Sequence, residues 1–167
     1  WQDFVTITVA GEDVTVVFND TNMQTMFMIA ISLSAFDDLI PGTPAEKIGT
    51  KVAIARGVIT KYEDWSYFFN ADGSIIDAMR LRVMFNVVNE LMAYDALFES
   101  LVGADPADIA GAKAAMARDI TEDYYQNPPD EREWEAFVTI TVAGEDVTVE
   151  FNDTNMQTMF MIAISLS

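Results

Sequence analysis

The chain has 167 residues, 51% of them apolar, and its 27 acidic and nine basic side chains give a net charge of −18. That acidity excludes a nucleic-acid surface, which needs basic groups to neutralise phosphates, and it disfavours anionic membranes; the apolar content is enough to build a packed core. With no cysteine there is no disulfide or thiol chemistry, and with no histidine the commonest general base and transition-metal ligand are missing.

From the N-terminus, Val5, Ile7 and Val9 alternate with Thr6 and Thr8. Gly11-Glu12-Asp13 supplies turn chemistry, and Val14, Val16 and Phe18 then alternate with Thr15 and Val17. This pattern predicts a β-hairpin with one apolar face. Thr21-Asn22-Met23-Gln24 has the form of a capping box, so a first helix is expected to about Leu39, stopped by Pro41-Gly42. Thr43-Pro44-Ala45-Glu46 is a second capping box with proline at the first helical position. Apolar residues from Ile48 to Phe69 keep helical spacing, which predicts one long helix bent at Gly57.

Asn70-Ala71-Asp72-Gly73 reads as a turn, with Ser74 capping a third helix from Ile75 to Leu101 that Gly103 stops. At 1.5 Å per residue that helix would be roughly 40 Å long. Asp105-Pro106 opens a fourth helix to about Tyr125, ended by Pro128-Pro129. The longest apolar run, Met26 to Phe36, spans 11 residues and includes two serines, too short for a membrane span.

Then the beginning returns. Residues 137–167 repeat residues 4–34, an offset of 137 − 4 = 133, with one difference, Glu150 in place of Val17. Trp134 and Phe137 echo Trp1 and Phe4, whereas Gln2/Glu135 and Asp3/Ala136 differ. The expected fold is therefore α+β and mainly α: a four-helix bundle-like body with an N-terminal β-hairpin, plus a duplicated C-terminal β-hairpin–helix. Residues 1–133 form the unit, and residues 134–167 are the start of a second unit or a connector. Three origins fit the repeat: a slice of a tandem array, an engineered permuted or extended variant of a small α+β protein, or a natural terminal duplication.

The repeat has a physical consequence. One hairpin–helix seat per core holds one hairpin–helix, and the first copy is continuous with the rest of its unit. The second copy then carries an apolar face in need of a partner: Val138, Ile140 and Val142 on its strand, Met156, Met159, Phe160 and Ile164 on its helix. These residues are the expected assembly interface, with self-association through residues 137–167, head to tail or by domain swapping, the other placement being beside the chain's own core, as stacked repeats pack. The sequence thus suggests a non-enzymatic structural unit. The alternative is an acidic binding module that sequesters a basic protein partner or an apolar ligand.

Other candidates read more plainly. Asn70, Asp72, Gly73 and Ile75 fit part of a calcium-loop pattern, but Phe68 and Met79 occupy its first and last ligand positions and neither side chain ligates. Asp119, Glu122, Asp123, Asp130, Glu131, Glu133 and Glu135 make the most acidic stretch, a solvated surface by expectation. Lys47, Lys51, Arg56 and Lys61 make the second helix the most basic, suited to pairing with an acidic helix of its own fold or of the next unit. Met23, Met26 and Met28 are read as core packing or as an adaptable groove. No nucleophile motif, phosphate loop or dinucleotide fingerprint is present, so no catalytic residue, cofactor or metal is assigned.

Overall fold

A computed structural model describes residues 4–9, 12–17, 21–128, 130–131, 137–142 and 145–150, with side chains described from Asn22 to Pro128 and for Asp130 and Glu131. Its body is helical: α1 (Thr21–Leu33), α2 (Pro44–Thr60), α3 (Tyr62–Trp65), α4 (Ala78–Leu91), α5 (Asp95–Val102) and α6 (Pro106–Gln126), with single 3-10 turns at Ser34–Phe36 and Met92–Tyr94. The central helix is α6, which packs on α2, α4 and α5; α1 packs on α2.

The α+β class is overturned. Every described core side chain comes from the helices and the short connections between them. Within residues 21–128 the only β pairing is an isolated bridge between Phe69 and Ile75. Among the described residues outside the body, backbone pairing forms two separate two-stranded ladders. One joins β1 (Phe4–Val9) to β2 (Glu12–Val17), and the other joins β3 (Phe137–Val142) to β4 (Glu145–Glu150). An isolated two-stranded ribbon is marginal by itself. The described body is therefore a helical bundle, and the β-hairpins expected as part of its fold class supply none of its described core side chains. The expected helix over residues 154–167 lies outside the described residues.

The helix boundaries also differ from expectation, each for a local reason. Helix α1 passes into a 3-10 turn at Ser34 and stops before Leu39, because Phe36 (6% exposed) and Ile40 (1%) both turn inward there. The long second helix breaks at Lys61, whose φ of −142° and ψ of 66° are not helical. Gly57 is not the bend but a seat: a Cβ there would lie 2.6 Å from Trp65 Nε1, so the missing side chain lets the indole fold back on α2. The break lets Trp65, Phe68 and Phe69 reach the core together, with ring centroids 6.2–6.3 Å from the indole.

Ser74 is not a helix cap. Its hydroxyl and N–H both donate to Asp72 Oδ1, and its carbonyl accepts from Asn70 N–H. Asp77 caps α4 instead, accepting from Met79 N–H at 2.8 Å. The third helix is further split at Met92–Tyr94 with no glycine or proline to mark the break; Met92 and Asp95 there both meet Lys113 of α6. Two starts follow the local rules. Thr43 Oγ1 accepts from Glu46 N–H while Glu46 Oε2 accepts from Thr43 N–H, and Pro44 follows at the first helical position. Asp105 accepts from Ala107 N–H ahead of Pro106.

Candidate assembly face

Helix α1 belongs to the repeated segment, and its two sides are both apolar. Ile29 and Leu33 are fully buried, with Met26 and Ala30 partly buried beside them. The turn before α4 fixes this inner side. Gly73 sits at φ +82°, and a Cβ there would fall 2.8 Å from Ile29 Cγ1, so only glycine allows so close an approach. At 100° per residue, Met23, Phe27 and Ile31 then project from the opposite side, with Met28 next to them. Their exposures are 39%, 42%, 59% and 43% in the order Met23, Phe27, Ile31, Met28. No charged residue occurs from Thr21 to Phe36. A charge-free apolar stripe on a protein of net charge −18 is the surface most in need of explanation.

The residues expected at the assembly interface are placed only in part. Val138, Ile140 and Val142 fall in β3, where the backbone alone is described; Met156, Met159, Phe160 and Ile164 lie outside the described residues. Strand β3 lies alongside α6 of its own chain, so this part of the second copy has a neighbour within the molecule. Subtracting the 133-residue offset maps Met156, Met159, Phe160 and Ile164 onto Met23, Met26, Phe27 and Ile31. In the first copy three of those four are exposed and Met26 is half-buried. The sequence reading had the first copy filling a core seat. It missed that the same helix keeps a second apolar side outside, and the one signal for it was the absence of charge on either side of α1.

Several charged groups hold the helices together. Lys51 Nζ donates to Asp37 Oδ1 at 2.7 Å and to Ser34 Oγ at 3.2 Å, and Lys47 Nζ donates to the Asp37 carbonyl. Lys47 and Lys51 of the basic helix therefore tie down the α1–α2 connection. In the acidic stretch, Arg118 Nε donates to Asp119 Oδ1 at 2.6 Å, and its guanidinium lies 5.0 Å from the Trp65 ring centroid and 3.7 Å from Asp64 Oδ2. Burial pushes the Asp119 carboxyl up, against the pull of Arg118. Burial also raises Glu122, and the nearby Asp119 charge adds to it. These two are not the fully solvated carboxylates the sequence suggested. Asp130 and Glu131 are exposed; Glu133 and Glu135 lie outside the described residues.

The partial calcium pattern is a closed turn, in which the hydrogen bonds from Ser74 hold the Asp72 carboxyl below its ordinary value. Among the described residues no group of acidic side chains is placed to hold a metal ion, and no helix is long and apolar enough to cross a membrane. Compared with known proteins, the chain matches no family model, no curated protein and no solved structure.

Proposed function

We propose that this protein is a non-enzymatic structural unit that associates with further copies of itself through the segment it carries twice. In this reading residues 137–167 of one copy are the connector, and the outer side of α1 on the next copy is the receiving face. The observation that carries it is Ile31, 59% exposed in a helix without charge and flanked by exposed Met23 and Met28. Apolar side chains gain about 25 cal/mol per Å² on leaving water, and a stripe of this length gains most against a helix of like pattern. The chain carries that pattern a second time in its sequence, because Met156, Met161 and Ile164 repeat Met23, Met28 and Ile31. A connector joined to its own body and docked on the next copy makes a head-to-tail contact, which propagates unless its rotation closes a ring.

Light scattering over a concentration series tests this. The full chain is expected to gain mass with concentration. The chain ending at Glu135, which loses the connector, and Ile31→Glu, which charges the receiving face, are both expected to stay monomeric. A full chain that is monomeric throughout the series overturns the reading and favours the alternative, an acidic binding module.

A further inference from the structure

A concave cleft of about 210 Å³ opens between α2, α4, α5 and the first turns of α6. It is formed within one chain and shares no residue with the outer side of α1. Val88, Met92 and Ile109 give it an apolar floor. Lys113 lines it as well, 4% exposed, with its Nζ donating to Asp95 Oδ1 and to Met92 Sδ and lying 5.8 Å from the Phe98 ring centroid. A lysine ammonium has three N–H groups, and the third finds no acceptor among the described residues. Glu46 reaches the same cleft from α2. Its two hydrogen bonds with Thr43, and behind them the charge of Lys113, hold its carboxyl below the ordinary value. Glu99 of α5 also lines the cleft, exposed, and its carboxylate has no hydrogen-bond or ion-pair partner among the described residues.

This combination is selective. An apolar floor wants a hydrocarbon body. A nearly buried N–H with no acceptor wants an oxygen lone pair, because an unmade hydrogen bond on a buried charged donor is costly. An unpaired carboxylate at the rim wants a cation. The lining carries three carboxylates, Glu46, Asp95 and Glu99, against the single ammonium of Lys113, so the oxygen acceptor has to be neutral. A cleft of this volume is below the roughly 300–1,000 Å³ of pockets for drug-sized ligands, so the molecule is small. We propose that this cleft binds a small organic ammonium bearing a neutral oxygen acceptor, an amino alcohol by chemical class. Its ammonium lies on Glu99, its carbon chain on Val88, Met92 and Ile109, and its oxygen accepts from Lys113.

The probe is 4-aminobutan-1-ol, titrated into the full chain carrying 13C-labelled methionine methyl groups and followed by the Met92 methyl signal. A saturable shift at Met92 is expected, weakened at least tenfold in Glu99→Gln. Asp38→Asn removes the same charge from an exposed site that does not line the cleft, and it is expected to leave the affinity within twofold of wild type. Butane-1,4-diol, uncharged and of the same length, is expected to give no saturable shift. The proposal is overturned by the absence of a saturable Met92 shift with the amino alcohol, by equal binding of the diol, or by equal weakening in Asp38→Asn and Glu99→Gln. That last result means general attraction to an acidic protein. None of these outcomes depends on whether the chain self-associates.

Discussion

Helices α1 and α4 have similar lengths, 13 and 14 residues, and opposite relations to the core. In α4, Leu81, Val83, Met84, Phe85, Val87, Val88 and Leu91 are buried, while the charged residues among them are exposed (Arg82) or half-buried (Arg80 and Glu90). Among the described side chains of α1 only Ile29 and Leu33 are buried, and where α4 carries charge α1 carries Met23, Met28 and Ile31. The bundle needs little more from α1 than its inner edge. A helix with more apolar surface than its fold uses has that surface available for a partner, and this difference is why the assembly reading rests on α1.

The sharpest way to break the comparison is to truncate one large side chain on each helix. Phe85 is fully buried, with its ring centroid 5.8 Å from that of Phe36. Phe85→Ala is expected to cost about 3–5 kcal/mol in chemical denaturation, the usual range for a large aromatic removed from a packed core. Ile31→Ala is expected to stay within about 0.5 kcal/mol of wild type at concentrations where the chain is monomeric. A loss near 2 kcal/mol at Ile31 means that the outer side of α1 is covered in the monomer, and the contrast with α4 then fails.

Next in size is the contact that holds the inner side of α1. Gly73→Ala places a methyl group 2.8 Å from Ile29 Cγ1 at a φ that side chains avoid, and a cost of roughly 1–3 kcal/mol is expected. Far-UV circular dichroism during denaturant titration reads it. If the substitution is neutral, the turn before α4 does not fix α1, and the orientation of the exposed stripe has lost its support.

What could be read from the sequence follows the same division between local and tertiary causes. The starts of α2 and α6 were legible because the groups that make them lie within three residues: the reciprocal bonds of Thr43 and Glu46, and Asp105 ahead of Pro106. The break at Lys61 was not, because it serves Trp65 folding onto Gly57, Phe68 and Phe69. Nor was the break at Met92, which faces Lys113 from 21 positions away. The repeat identified which segment to examine, but not which side of its helix the core would take, since both sides are apolar and periodicity cannot choose between them. The class was misread for a related reason: alternating residues promise a strand, yet strands make a layer only where a core packs on them, and here the described core is filled by helices and their short connections. Thr43→Ala sharpens the local half of this division. A loss of about 1 kcal/mol is expected, confined to α2 and indifferent to concentration; a loss several times larger would mean that even this start depends on tertiary packing.

The smallest expected effect contrasts the outer side of α1 with that of α6. Where α1 has no charge, α6 has more than it accommodates comfortably: burial and the Asp119 charge raise Glu122 above the ordinary 4.5, and Gln126 Nε2 donates to its Oε1 at 2.6 Å. A carboxyl that titrates higher in the folded than in the unfolded state holds its proton better when folded. Its ionisation therefore costs stability. That cost is absent below 4.5, grows as pH rises through the interval up to the raised value, and is fully present at neutral pH. Glu122→Gln keeps an oxygen to accept from Gln126 and removes the charge. At pH 7 it is expected to be slightly more stable than wild type, by no more than about 0.5 kcal/mol, with the advantage gone below pH 4.5. Paired denaturant titrations at pH 7 and pH 4 measure the difference of differences. An advantage that persists at the lower pH would assign the effect to packing, and the surplus of charge on α6 would then carry no cost.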